Sequence, residues 1–361
     1  MKFIYISFLL FTTSITHGQN KCAIEKIENS NEISYDELEI EKIIDFKKYK
    51  AIFYGESHTR DFEPEFKFNF IRHLNKKFGV KDVFMEIGYS AAYFYNLYLN
   101  TGDTLILKYN NSIYSNGKYK IFWGKLFKYN KTTPDNLKIK IHGIDFERNE
   151  ALKLFDTLKI KDALIPKNLI TTFEKITILS DDKSLSAFDK RFHTEFSKIK
   201  STFLDNENYI KNIYGENHEI LKSILNNKTP TTNKIKPRNM IWFNNISEII
   251  KDKKIEKIVC FFGASHTSND KVSSITNKIK EIENFKDSIL TIKGIYNHFF
   301  SYGQMSDTPQ IFEFGHKEKE IFEKYSNPFC RATIVLTTTC SEKKLKNKAD
   351  YIMFAKDIMV E

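Results

Sequence analysis

The 361-residue sequence lacks three features that would decide its class. Beyond its first residues it has no apolar run long enough to cross a bilayer. It has no Pro-rich or Gly/Ser-rich stretch of the kind that links independent domains. Its formal net charge is +10, yet the lysines are scattered among Ile and Asn instead of forming one basic stripe. We therefore expect one packed body with no transmembrane segment and no nucleic-acid partner, and its oligomeric state stays open.

The first residues have the pattern of a secretory signal. A positively charged start is followed by an uncharged apolar stretch over residues 3–15, and Thr16 and Gly18 supply small side chains at a cleavage site. The sequence thus predicts a signal peptide over residues 1–18, a mature chain from Gln19, and export to the periplasm or the exterior.

Cysteine is scarce, with four residues in the chain. In an exported protein Cys330 and Cys340, which flank the run ATIVLTTT, could close a disulfide loop. Cys260 lies inside the apolar run KIVCFFG and is expected to be a buried core residue.

Short apolar runs, each ending at a turn, predict strands buried on both faces of a mainly parallel sheet. A helix from about Phe62 to Phe78 joins the first two runs, which makes a strand-helix-strand unit. We expect a single α/β domain over 19–361, with helices flanking the sheet and a largely helical insertion or cap over about 150–250. The predicted strands are AIFYG (51–55), DVFMEIG (82–88), IKIHGID (139–145), KIVCFFG (257–263), SILTIKG (288–294), ATIVLTT (332–338) and DYIMFA (350–355).

Two of these strands end in the same motif. FYGESHT and FFGASHT each place Gly, one variable residue and then Ser-His-Thr after an apolar strand. Glycine allows a sharp turn, and the carboxyl edge of an open α/β sheet is where such folds bind ligands. Two histidines in matching contexts, His58 and His266, therefore favour one shared site.

Carboxylates follow the strands at the same edge. Glu56 precedes His58, Glu86 closes the second strand, and Asp145 closes the third. A charge at the end of a buried strand needs a partner, and the histidines and arginines are candidates. We interpret Glu56 and Glu86 as functional, and Asp145 as support. The arginine candidates are Arg60, Arg72, Arg148 and Arg238.

The order of these motifs resembles that of the erythromycin esterase family, within a superfamily that also holds Tiki-type metalloproteases and ChaN-like haem-uptake lipoproteins. The single residue between Glu56 and His58 is closest to the iron-uptake branch. The matching landmarks are Glu56 and His58 in GESH, Glu86 in FMEIG, Asp145 in HGIDF, Arg238 and Asn245 in RNMIWFNN, and His266 in FFGASH.

The resemblance implies a hydrolase that needs no cofactor and cleaves an ester or lactone bond of a small molecule. His58 would take a proton from the attacking water, and Glu56 or Glu86 would orient its imidazole. His266, with Arg238 or Arg60, would polarise the carbonyl. Further substrate-binding or supporting residues would be Arg72, Asp145 and Asn245.

Two alternatives use the same side chains. Glu56, His58, Glu86 and His266 could hold a divalent metal such as Zn, Mn or Fe in a hydrolase or peptidase, although no helical H-E-x-x-H is present. The histidines and aromatic residues could instead bind haem or another iron compound without turnover. A serine nucleophile is disfavoured, because no G-x-S-x-G elbow occurs.

Overall fold

A computed structural model describes most of the chain between the first strand and residue 355. His58, Arg60, the predicted signal segment and Cys340 lie outside the described residues, so the predictions about them stay predictions. The described ranges are 21–25, 39–56, 62–110, 114, 117–160, 163–182, 190–227, 235–269, 271–296, 299–302, 309–312, 320, 322–323, 330–336 and 348–355.

The strands within these ranges include every strand that the sequence predicts, together with β1, β7 and β8, which it does not. They are β1 (Lys21–Glu25), β2 (Ala51–Glu56), β3 (Asp82–Gly88), β4 (Lys140–Asp145), β5 (Ile258–Gly263), β6 (Ile289–Tyr296), β7 (Phe299–Tyr302), β8 (Pro309–Phe312), β9 (Cys330–Leu336) and β10 (Tyr351–Ala355).

Six strands form a parallel sheet in the order β10-β6-β2-β5-β3-β4. β9 adds to β10 in the antiparallel sense, β1 adds to β9, and β7 and β8 pair separately. Every residue of β2, β3 and β5 is buried, which explains why these strands are unbroken apolar runs in the sequence. The expectation of a mainly parallel sheet is confirmed.

Helices cover the sheet, and none in the described part of the chain is long and apolar enough to span a membrane. The predicted helix after β2 has the predicted bounds. The helices are α1 (Phe62–Phe78), α2 (Tyr89–Thr101), α3 (Lys118–Thr132), α4 (Glu150–Leu158), α5 (Lys167–Asp181), α6 (Lys190–Asp205), α7 (Glu207–Tyr214), α8 (His218–Asn226), α9 (Ile235–Lys253) and α10 (Ile275–Ile279).

The helical insertion consists of α4 to α8, between β4 and the helix α9 that leads back to β5. Its aromatic side chains form part of the main hydrophobic core. Phe155 contacts Phe196 and Phe203 at ring-centroid distances of 5.8 and 5.5 Å, and Phe203 contacts Phe173 and Tyr214 at 5.5 and 6.0 Å. Because aromatic side chains supply much buried area each, this core can hold short helices together without a strand.

His142 lies inside β4, well before its carboxyl end, and does not approach the candidate site. Its Nε2 is 2.7 Å from Oδ1 of Asp82, the first residue of β3, and its ring stacks on Phe84. Burial lowers the pKa of His142, and the neighbouring carboxylate of Asp82 opposes this only in part. The folded protein therefore favours neutral His142.

Because His142 is held neutral, we expect the free energy of unfolding to fall in mild acid. A pKa lowered by folding means that the unfolded chain binds protons first, so stability falls as the pH drops below the ordinary histidine pKa of about 6.5. Urea unfolding at pH 7.5 and at pH 5.5 measures this fall in the free energy of unfolding. We expect the difference between the two pH values to be smaller in His142→Gln than in the parent. Burial also lowers the pKa of His73, so adding His73→Gln should flatten the decline further. An unchanged decline in His142→Gln would contradict the prediction.

Candidate functional site

Three of the predicted carboxylates meet at one edge of the sheet. Glu56 ends β2 and pairs in register with Gly263, the last residue of β5. Asp145 ends β4 and lies opposite Gly88 of β3, two residues after Glu86. All the strands concerned are parallel, so these residues share the carboxyl edge.

Arg238 joins two of the carboxylates from the first turns of α9. Its Nη2 is 2.9 Å from Glu86 Oε1 and 2.5 Å from Asp145 Oδ2, and its Nε donates to Asp145 Oδ1 at 3.1 Å. Burial alone lowers the pKa of the guanidinium, but the hydrogen bonds and charges of Asp145 and Glu86 outweigh it, so the net pKa is raised. Glu86 Oε2 also accepts from the Gly263 amide at 3.0 Å. The pair Arg238–Glu86 therefore ties α9 to the ends of β3 and β5.

Trp242, one turn after Arg238, connects this cluster to His266. Its Nε1 donates to Asp145 Oδ1 at 2.9 Å. The Arg238 guanidinium lies 4.9 Å from the indole centroid, and the His266 ring lies 4.3 Å from it at an interplanar angle of 31°. The structure thus brings the imidazole and the guanidinium against one indole. His266 Nδ1 is 2.5 Å from Asn239 Oδ1.

Glu56 belongs to a second buried cluster. It forms an ion pair with Lys67 of α1 and accepts a hydrogen bond from the Tyr114 hydroxyl. Both ionic side chains are fully buried, and Lys67 Nζ also donates to the Tyr119 hydroxyl at 2.6 Å. Burial, followed by the charge of Glu56, raises the pKa of Tyr114 and of Tyr119 well above the ordinary value. Both tyrosines therefore keep their hydroxyl protons at any physiological pH, so Tyr114 donates to Glu56 and Tyr119 accepts from Lys67.

The two matching motifs lie side by side, because β2 and β5 are neighbours. A Cβ on Gly55 would stand 2.6 Å from Thr267 Oγ1 and 3.2 Å from the Ala264 Cα. The glycine of the first motif therefore leaves the space into which the second motif folds. The described residues place the glycine of the first motif beside the second motif, and a site shared by His58 and His266 stays a prediction.

A layer of polar side chains supports the end of β4. Asn245 donates to the Ile144 carbonyl at 2.8 Å and to Asn227 Oδ1 at 3.1 Å. Asn227 donates to the Asp145 carbonyl at 2.8 Å and to Glu147 at 2.6 Å. Burial raises the pKa of Glu147, while hydrogen bonds including those from Ser90 and Asn227 oppose the shift. In this layer Asn245 contacts backbone and amide groups, as a supporting residue would.

The remaining predicted arginines take different places. Arg148 Nη2 is 3.6 Å from Asp145 Oδ2, at the border of the site. Arg72 lies ten residues after the start of α1, which begins at the carboxyl edge, so it is about 15 Å along the helix axis from that edge. Its guanidinium packs over the ring of Phe68. Its charge also influences Tyr129, whose hydroxyl bonds to Asn75 near the amino edge. The structure does not bring Arg72 together with Glu86 and Arg238.

Sequence reasoning missed Lys67, Tyr114 and Asn239. Lys67 carries a signal that could have been read, since it precedes Phe70 by three residues and Ile71 by four and so shares their buried face. Tyr114 and Asn239 carry none, because their roles depend on which element packs beside them.

The predicted metal ligands have cationic neighbours. Glu56 is bound by Lys67, and Glu86 by Arg238, so each carboxylate already has a positive partner. Among the described residues, which exclude His58, no three His, Cys, Asp or Glu side chains are grouped so as to hold a metal ion. The described donor set does not fit a divalent metal.

A polar cleft of about 310 Å³ lies beside this edge, between the insertion and α9. Asn227 and Asn245 border it, whereas Glu86, Arg238 and His266 do not. Its volume is at the lower end of small-molecule sites.

The parallel α/β sheet with its helical insertion has the erythromycin esterase-like fold, as comparison with solved structures shows. The chain is similar to a mutant of the erythromycin esterase EreC in its open conformation, with a TM-score of 0.58 and 13% identity over 94% of this chain and 99% of that one. It is equally similar to a succinoglycan biosynthesis protein, with a TM-score of 0.58 and 14% identity over 93% and 94% of the two chains.

A protein from Bacillus cereus has a TM-score of 0.57 and 13% identity over 88% of this chain and 91% of that one. No family model and no curated protein sequence matches the chain. The resemblance inferred from the motifs is confirmed at the level of the fold.

Proposed function

We propose that the protein is a hydrolase that cleaves an ester or lactone bond of a small molecule at the carboxyl edge of its sheet. The observation that carries the proposal is the placing of His266 and Arg238 against one indole, with Glu86 bound to the arginine. An imidazole, which can accept or release a proton, is then a neighbour of a fixed cation. The pair supplies a proton acceptor and a group that stabilises an oxyanion, and both serve acyl hydrolysis.

The proposed reaction has two steps. The oxygen of water adds to the carbonyl carbon while a histidine takes its proton, and the bond to the leaving alkoxide then breaks as that proton is returned to it. We assign the first proton transfer to His58, as the motif order implies. Arg238 stabilises the negative charge that develops on the carbonyl oxygen, and Glu86 and Asp145 keep its guanidinium in place.

Support for an ester or lactone comes from the fold shared with the erythromycin esterase EreC. The cationic neighbours of Glu56 and Glu86 favour the metal-free form of the reaction over a metallohydrolase. We further propose that residues 1–18 direct export and that residues 19–361 form one domain.

The test is hydrolysis of a panel of simple esters and lactones by the purified mature protein, with and without a chelator. We expect turnover that survives chelation and that falls by about 10²–10⁴-fold in His58→Ala and in His266→Ala, as for loss of a general acid or base. Lys236→Met, at an exposed position on α9, is the matched control and should keep full activity. Turnover abolished by the chelator, or untouched by both histidine variants, would sink the proposal.

A further inference from the structure

The side chain of Asn239 has only one consistent orientation. Its amide Nδ2 donates to the Ser273 carbonyl at 2.7 Å, and its Oδ1 faces His266 Nδ1 at 2.5 Å. Reversing the amide would place Oδ1 against the Ser273 carbonyl, where two acceptors would repel each other. The oxygen of Asn239 must therefore point at the imidazole.

This orientation determines where the proton of His266 resides. An amide oxygen can only accept a hydrogen bond, so His266 Nδ1 must be the donor and carry hydrogen. A neutral imidazole has one N–H, and its other nitrogen then has a lone pair. In neutral His266 that second nitrogen is Nε2.

The rest of the structure keeps the imidazole in this position. The His266 amide donates to the Gly263 carbonyl at 2.8 Å, and the His266 carbonyl accepts from Ile275 at 2.9 Å. Trp242 covers one face of the ring, and both His266 and Asn239 are buried, at 4% and 1% exposure. A ring flip would remove the bond to Asn239 and leave its buried oxygen unsatisfied, which is costly.

We infer that Asn239 is a positioning residue that holds the proton of neutral His266 on Nδ1 and thereby makes Nε2 a proton acceptor. Neutral His266 then cannot donate from Nε2 to a substrate carbonyl, which is the role that the motif order implies for it. Polarisation of the carbonyl is left to Arg238, and Nε2 of neutral His266 can accept a proton from the intermediate that His58 and water have formed. The catalytic meaning rests on the proposed hydrolase function, whereas the protonation pattern does not.

The pattern is visible by NMR without any substrate. In protein carrying ¹⁵N-labelled histidine, long-range ¹H–¹⁵N spectra at a pH where histidine is neutral distinguish a protonated ring nitrogen from one with a lone pair. The chain has nine histidines. The signals of His266 are identified as the set that disappears in His266→Gln. We expect His266 to show a protonated Nδ1 and a lone pair on Nε2. A protonated Nε2 in the unaltered protein would overturn the inference.

A variant of Asn239 tests whether its side chain determines which ring nitrogen of His266 carries the proton. Asn239→Leu removes the acceptor oxygen, so His266 should move toward the Nε2-protonated form. Asn244→Leu is the matched control, since it lies on the same helix about 140° around the axis. No change in Asn239→Leu would also count against the inference.

Activity gives a second, separable result. We expect Asn239→Leu to lower kcat by about 10²-fold or more, the scale of a misplaced general base. If the NMR signals behave as expected and no variant or parent hydrolyses any ester or lactone, the proposed function fails while the assignment of the proton stands. If the parent is active and Asn239→Leu is fully active, the role of Asn239 in the reaction is wrong.

Discussion

Replacing Lys67 by methionine will lower the free energy of unfolding by about 3–5 kcal/mol, the range for breaking a buried ion pair from one side. The reason is the burial of both partners: neither Lys67 nor Glu56 has solvent to replace the other. Methionine has nearly the length of lysine, so the loss reflects charge more than volume. Urea or guanidinium unfolding at pH 7 measures it.

We also expect a double variant to recover most of the lost free energy of unfolding. Lys67→Met combined with Glu56→Gln removes both charges, so most of the lost stability should return, because a neutral buried pair avoids the unpaired charge. Lys76→Met, at an exposed position on the same helix, should change stability by less than about 0.5 kcal/mol. A Lys67→Met protein within about 1 kcal/mol of the parent would mean that solvent or another group reaches Glu56.

The strands and their charged ends were predictable because both depend on local sequence. A strand buried on both faces must be apolar throughout, so Glu56, Glu86 and Asp145 stand out where three apolar runs end. Parallel strands then place those ends at one edge, whichever order the strands take. The gathering of carboxylates therefore follows from the sequence even though the strand order does not.

The strand order was out of reach for a physical reason. β5 inserts between β2 and β3, although it lies about two hundred residues after β2 in the chain. Nothing in the local pattern of β2 selects β5 or β6 as its neighbour, since all three are apolar strands of similar length. The choice depends on how the insertion and α9 return the chain to the sheet.

The sequence predicts that the buried carboxylates have cationic partners, but it does not predict which residue is the partner of each. A buried carboxylate requires a cation or donors, and the sequence names arginines as candidates for that role. Which one serves depends on where the helix places it. Arg238 and Trp242 share a face of α9 that meets Asp145, whereas Arg72 lies about 15 Å along α1 from the carboxyl edge. Asn239 joins His266 only because α9 and the turn after β5 pack together.

Trp242 connects the charged and titratable side chains of the cluster. One indole donates to Asp145, carries the Arg238 guanidinium on its face, and stacks on His266. Arg238 and Trp242 lie on α9, whereas His266 is held by the backbone of the turn after β5. The indole fills the space between the cation and the imidazole and so fixes their relative positions, which is what preorganised electrostatic stabilisation needs.

Arg238→Met should damage both the stability of the protein and its turnover. It removes the guanidinium from between Glu86 and Asp145, and Asp145 is fully buried. We expect a loss of about 3–5 kcal/mol in the free energy of unfolding, as for other buried pairs broken from one side. We also expect turnover to fall by about 10²–10³-fold, the scale for one lost oxyanion donor.

Arg238→Lys distinguishes geometry from charge. The guanidinium uses Nε and Nη2 together to reach both oxygens of Asp145, and Nη2 also reaches Glu86. An ammonium is a single point charge and cannot reproduce that planar fork. We therefore expect Arg238→Lys to recover part of the stability and little of the turnover, with unfolding and ester hydrolysis measured on the same preparations. Full turnover in Arg238→Lys would show that a positive charge alone suffices, and the fork would then serve only to hold α9 against the sheet.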